Sequence, residues 1–252
     1  MSDREDSPPL QLDPRTLAAL MEFRQEQEEV QDRLRAMEEK QNGDDGEEKK
    51  MISLQEYKAT FTEDFQVSQF WYSDAFANHF SRFVYSFCTP TTRIAFLSCP
   101  TSFVAFQHQN PVKDAWLFEY DTRFRLFGGD RFVHYDLEEP EKFPEELRGT
   151  VDIAIADPPF LNEVTNRYFA QTLRSLLKPN GKFLLLTSTS VSARSAVYDS
   201  PPVGPLHETS FEVTHDGGRL QNDFRCWTSW SWEGEREGVR TLSEEEAIAR
   251  AR

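Results

Sequence analysis

The residues with the most chemical content stand together at Asp157-Pro158-Pro159-Phe160, directly after Val151-Asp152-Ile153-Ala154-Ile155-Ala156. An apolar-rich run ending in a carboxylate puts that carboxylate at the C-terminal tip of a buried strand, where open α/β sheets bind ligands. Two prolines then fix φ and remove two N–H donors, so the turn is stiff and its carbonyls are free to accept hydrogen bonds. An aromatic ring follows at once. This set suits a nitrogen nucleophile approaching an electrophilic methyl group. Asp157 and a proline carbonyl can accept the amine's N–H groups, while Phe160 can stack on a planar amine or lie against a cationic one. The competing reading is a Pro-Pro turn whose aspartate only caps the next helix.

Such a turn needs a sheet behind it. Strands are expected at residues 93–99, 115–120, 131–135, 151–156, 182–187, 211–215 and 224–230. The apolar runs at 153–156 and 183–186 suit strands buried on both faces, as in a parallel sheet covered by helices. Helices are expected at 73–87 and 163–177, the second stopped by Lys178-Pro179-Asn180-Gly181. Only residues 216–222 separate the last two strands, which fits a hairpin and leaves no room for a parallel crossover. The fold class is therefore α/β: a doubly wound, seven-stranded, mostly parallel sheet.

Residues 1–50 form an N-terminal extension. Asp13 is a candidate N-cap for a helix over 14–40, and residues 42–48 (Asn-Gly-Asp-Asp-Gly-Glu-Glu) read as an acidic linker. The catalytic domain is expected at 51–232. Residues 233–252 read as a charged, mobile tail with one short helix at 243–249.

The chain has 252 residues, 38% of them hydrophobic, with 21 Phe and a formal net charge of -15. Residues 1–50 hold 15 acidic and 8 basic side chains, yet 51–232 are acidic in their own right. No Lys/Arg-rich run supplies the basic patch of a nucleic-acid binder, so a basic protein or a small molecule is the expected partner. Cys88, Cys99 and Cys226 form no C-x-x-C pair, which argues against a disulfide framework or a zinc site. His79, His108, His134, His207 and His215 show no ligand spacing and read as structural or exposed. No apolar run is long enough for a membrane span.

The tetrapeptide resembles the (Asp/Asn/Ser)-Pro-Pro-(Tyr/Phe/Trp) signature of class I, Rossmann-like methyltransferases that act on nitrogen. Three other motifs accompany it in order: Gln69-Phe70-Trp71-Tyr72-Ser73, Phe118-Glu119-Tyr120-Asp121-Thr122-Arg123-Phe124 and Asn222-Asp223-Phe224-Arg225-Cys226. Over roughly residues 61–230 the chain is similar to the elongation factor 1-alpha lysine methyltransferase family, first described as N6-adenine methyltransferases. That resemblance implies an S-adenosylmethionine-dependent protein-lysine N-methyltransferase. It also implies a basic protein substrate, elongation factor 1-alpha; the chain itself is expected to be a cytoplasmic monomer. The alternatives are an adenine-N6 enzyme acting on DNA or RNA, and a non-catalytic adaptor binding a partner through its N-terminal helix.

The resemblance also assigns roles. Asp157, Pro158 and Phe160 are the expected catalytic residues, with Asp157 aiming the amine while water takes the proton. Pro159 and Phe160, with Trp71 and Tyr72, are expected to meet the substrate. Phe70-Trp71-Tyr72 reads equally as an aromatic lid or as an anchor for the N-terminal segment. For the cofactor, Ser98, Cys99 and Pro100 form the turn against its methionine part. Glu119, with Asp121 beside it, is expected at the ribose, Asp136 at the adenine and Asp157 at the methyl. No metal is expected. The turn at 98–102 has no glycine, although such turns usually need one for close backbone approach, so a methyltransferase fold without activity is a further reading.

Overall fold

The computed structural model describes residues 53–61, 71–216 and 223–250, together with Asp13 and scattered positions between 15 and 36. The chain divides into two units, Met1–Glu48 and Lys49–Arg252. In the first, the described positions from 15 to 36 are helical. Asp13 caps them as its composition suggests, its carboxylate accepting from the backbone N–H of Arg15 and Thr16 at 2.9 and 3.1 Å. The acidic linker at 42–48 lies outside the described residues.

The second unit is built on seven strands: β1 (Ile94–Leu97), β2 (Ala115–Glu119), β3 (Phe132–His134), β4 (Val151–Ala156), β5 (Leu177–Ser188), β6 (His207–Glu208) and β7 (Phe224–Thr228). Their order across the sheet is β3-β2-β1-β4-β5-β7-β6. The pairs among β1 to β5 are parallel, and β7 runs antiparallel to both β5 and β6. This is the expected doubly wound sheet, with its order reversing beside β1 and β4. β1 is buried throughout, as a central parallel strand with helices on both faces must be.

The principal helices are α1 (Leu54–Thr60), α2 (Asp74–Tyr85), α3 (Pro100–Gln109), α4 (Glu163–Leu176) and α5 (Glu244–Arg250). Ser53 and Glu56 form a capping box that starts α1, and Ser73 caps α2 through the N–H of Phe76. Asn162 caps α4 in the same way, accepting from Thr165 at 2.9 Å. Helix α3 has no counterpart among the sequence-based expectations. It is buried from Pro100 to Phe106, so it lacks the one-sided apolar stripe that marks a surface helix.

The sixth strand departs from expectation. Residues 211–215 are not a strand; pairing with β7 is made by His207–Glu208 and ends where Thr209 donates its N–H to Cys226 O. Phe211 instead turns its ring into the aromatic face of α2, 5.2 Å from Phe76 and 5.5 Å from Phe83. Residues 214–216 cross the chain at Trp71–Ser73 and bond to it: Ser73 N–H donates to Thr214 O and Asp216 N–H to Trp71 O, both at 2.8 Å. Burying one large ring against a helix has overridden local strand propensity.

The charged residues past 233 are drawn in as well. Val239 is buried, Ser210 N–H donates to Arg240 O and Leu242 N–H to Glu208 O, and Arg250 of α5 reaches Thr209 O at 3.0 Å.

Candidate active site

Parallel register brings four strand ends level. Leu97 of β1 lies opposite Phe118 of β2 and Ala156 of β4, and Glu119 lies opposite His134 of β3. The ladder runs one bond further at each tip: Ser98 N–H donates to Phe118 O, Asp157 N–H to Leu97 O and Tyr135 N–H to Glu119 O. The loops beyond these tips open into one cleft of about 960 Å³. That is room for a cofactor of nucleoside size and a side chain beside it.

Every residue expected to be catalytic, or to meet cofactor or substrate, borders this cleft, Phe70 of the 70–72 run apart. Ser98, Cys99 and Pro100 close it below β1; Glu119 and Asp121 follow β2; Asp136 follows β3; Asp157, Pro158, Pro159 and Phe160 follow β4. Trp71 and Tyr72 form the facing wall. Ten further residues border it, among them His215, Phe224, Thr101 and Leu137. Nothing in linear sequence marks His215, which reaches the cleft only because 214–216 crosses 71–73.

At the β4 end, Tyr72 is buried and its hydroxyl donates to Asp157 Oδ2. Asp157 Oδ1 has no hydrogen-bond partner among the described residues. Burial pushes the Asp157 carboxyl up to about 7, against the lowering effect of the tyrosine hydrogen bond. Phe160 lies on the rim, 43% exposed. The ring of His215 lies 4.8 Å from that of Tyr72, tilted by 31°, and 4.9 Å from that of Phe224. Burial lowers its imidazole to about 4, so this wall carries no positive charge at neutral pH. Trp71 is an anchor: its indole N–H donates to Phe61 O at 3.1 Å and its ring meets Tyr57 edge-on at 5.1 Å. Phe70 lies outside the described residues.

At the other end, Glu119 is only 7% exposed. Its Oε1 accepts from the N–H groups of Tyr120 and Asp121, at 2.8 and 3.2 Å, and Oε2 has no partner among the described residues. Burial lifts this carboxyl to about 7. Asp121 is differently occupied, capping the turn at 122–124 through Arg123 N–H and pairing with the Arg123 guanidinium. Asp136 accepts from Glu138 N–H at 2.9 Å. Cys99 points its sulfur at Ile155 O, 3.8 Å away beneath the cleft floor. The glycine-free turn takes the glycine conformation regardless, with Ser98 at φ 53°.

These groups fit an adenosyl cofactor bearing an amino-acid end. Glu119 offers a buried acceptor oxygen of the kind a ribose diol requires, and Asp136 offers a second acceptor beside it. No side chain caps α3, which leaves its first-turn amides to receive a carboxylate at a helix N-terminus. Among the described residues, no group of three or more His, Cys, Asp or Glu could hold a metal ion. None of their helices is long and apolar enough to cross a membrane.

Comparison with known proteins agrees with this chemistry. A family model described as "Probable N6-adenine methyltransferase" matches residues 63–232. The Saccharomyces cerevisiae protein named "Protein-lysine N-methyltransferase EFM5" is 33% identical over 88% of this chain and 93% of its own. The Caenorhabditis elegans protein "Protein-lysine N-methyltransferase M142.8" is 34% identical over 91% of this chain and 97% of its own. The human "EEF1A lysine methyltransferase 1" is 32% identical over 91% and 96%. With the family model spanning more than half of the chain and full-length relatives above 30% identity, this chain belongs to the elongation factor 1-alpha lysine methyltransferase family.

Proposed function

We propose that the chain transfers a methyl group from S-adenosylmethionine to the ε-amine of a lysine in translation elongation factor 1-alpha. The observation that carries this reading is the union, in one cleft, of the Asp157 turn with the acceptor carboxylates at the neighbouring strand tips. Glu119 and Asp136 hold the cofactor in this reading, and the uncapped start of α3 receives its carboxylate. When bound, the cofactor supplies an electrophilic methyl on a sulfonium.

The chain's own residues do the rest. Asp157 keeps Oδ1 for an N–H of the incoming amine while Tyr72 holds Oδ2. The proline carbonyls accept a second N–H, and together they aim the nitrogen lone pair. Phe160 meets the aliphatic stem at the rim. A lysine has an ordinary pKa near 10.4, so its neutral form at pH 7 lies about 4–5 kcal/mol above the ammonium. Enclosure by Tyr72, His215 and Phe224 lowers that cost by desolvating the amine. The proton leaves to water, and uncharged His215 adds no repulsion. Five carboxylates and one guanidinium border the cleft, which suits a basic protein and opposes a polyphosphate backbone.

Two relatives are named for lysine methylation without a substrate, and the human one for EEF1A. A translation factor as substrate supports a cytoplasmic setting for the reaction. The test is transfer of radiolabelled methyl to purified elongation factor 1-alpha and, in parallel, to DNA and RNA. Label is expected in lysine; label in adenine alone would reverse the reading. Asp157→Ala is expected to lower transfer by about 100-fold or more while cofactor affinity, measured by calorimetry, changes by less than about threefold.

A further inference from the structure

Tyr72, which meets Asp157, and His215, which packs on the Tyr72 ring, come from two segments that are distant in sequence. Both belong to short stretches that cross once: Tyr72 and His215 form an isolated antiparallel bridge. The flanking bonds Ser73 N–H to Thr214 O and Asp216 N–H to Trp71 O, at 2.8 Å, complete it, and the hydroxyls of Ser73 and Thr214 lie 2.6 Å apart. A crossing of this length has few bonds of its own with which to hold a buried ring in place.

Lys58, on α1, closes the crossing from outside. Its Nζ donates to Tyr72 O at 2.7 Å, to Asp74 Oδ1 at 2.5 Å and to Asp216 Oδ2 at 2.6 Å. Three donors meet three acceptors, the full capacity of an ammonium. One acceptor is on each crossing segment and one is in the first turn of α2. The lysine side chain is 14% exposed, against 45% and 46% for the two aspartates. Without the ammonium, Asp74 and Asp216 would be two like charges facing across the crossing. Lys58 precedes the span matched by the family model, residues 63–232.

We propose that Lys58 is a positioning residue for methyl transfer: by locking the crossing of 71–73 with 214–216, it holds Tyr72 against Asp157 and His215 against Tyr72. It touches neither substrate nor cofactor, and acts through the Tyr72 hydroxyl on Asp157 Oδ2. The inference rests on the methyltransferase reading above. The carboxylates assigned to the cofactor, Glu119 and Asp136, stand on strand tips that the lock does not touch, so its loss should separate transfer from cofactor binding.

The test uses the full chain and three variants, Lys58→Met, Lys58→Arg and Asp216→Asn. Lys58→Met is expected to lower kcat by about tenfold or more, with cofactor affinity changed by less than about twofold. Lys58→Arg, which keeps the charge and the donors, should recover most of the rate. Asp216→Asn should fall between them. Amide hydrogen exchange supplies a readout independent of activity: in Lys58→Met the amides of Ser73 and Asp216 should exchange about tenfold faster while those of β1 and β4 keep their rates. A Lys58→Met rate equal to wild type overturns the inference and leaves the methyltransferase reading standing. So does uniform acceleration of exchange, or loss of rate and cofactor affinity together. A wild-type chain that methylates no protein overturns both.

Discussion

At the scale of single residues, two carboxylates at the strand tips each have one oxygen engaged, by different means. Asp157 has one oxygen held by a buried tyrosine and the other available; Glu119 has one oxygen held by two backbone amides and the other available. The tyrosine hydrogen bond stabilises the ionised form of Asp157 and lowers its pKa, while burial raises it to about 7. In the proposed reaction the ionised carboxylate accepts from the amine, so activity should rise with pH through about 7. Tyr72→Phe removes the lowering contribution, so the acid limb of the kcat/KM profile should move to higher pH. The rate deficit should be several-fold at pH 7 and shrink by pH 9, about a factor of ten per pH unit of displacement at most. An unmoved limb in this variant would mean that Asp157 is not the titrating group. Ser98 carries the other residue-scale lesson. A non-glycine residue at φ 53° carries strain of order 1–3 kcal/mol, so the absence of glycine is a local cost within a normally shaped turn.

At the scale of elements, the segment after β6 shows how one buried ring redirects a chain. Residues 211–215 alternate well enough to read as a strand, and β-branched Val213 and Thr214 favour that reading. Phe211 nonetheless packs among Phe76, Phe80 and Phe83 at 3% exposure, and the chain that follows is delivered to Trp71–Ser73 instead of the sheet edge. That delivery brings His215 into the cleft. Phe211→Ala should therefore destabilise the chain by about 3 kcal/mol, the usual cost of emptying a buried aromatic position, as measured by urea unfolding at equilibrium. A loss below about 1 kcal/mol would mean the ring is not a principal anchor of this segment. Helix α3 was hidden for a related reason. Its burial from Pro100 to Phe106 removes the polar face on which helix recognition depends, and the Pro100 that reads as part of a turn is in fact at the first helical position, where proline is favoured.

At the scale of the whole molecule, the same buried acids tie folding to pH. Burial lifts the Glu119 carboxyl to about 7 from its ordinary 4.5, so between those values the folded chain keeps a proton that the unfolded chain has released. Stability then falls as pH rises through that window. Asp157 has the same sign. His215, lowered to about 4, has the opposite sign up to its ordinary 6.5, one group against two. The chain without cofactor should be less stable at pH 8 than at pH 5 by on the order of 1–3 kcal/mol, and Glu119→Gln should flatten the dependence; chemical denaturation at the two values checks both. The sequence by itself determined the sheet class, the tetrapeptide at the β4 tip, the acids after β2 and β3 and the acidic character that favours a basic partner. The first three are written in contiguous residues, as a period-2 or fully apolar run ending in a polar group, and the last in the composition. Only the tertiary structure decided that Trp71 anchors while Tyr72 meets Asp157, that His215 belongs to the site and that Lys58 stands behind both. Those facts depend on contacts between residues 10 to 158 positions apart, which no local pattern encodes. They arise when large rings and a fully bonded ammonium find their partners in the packed core.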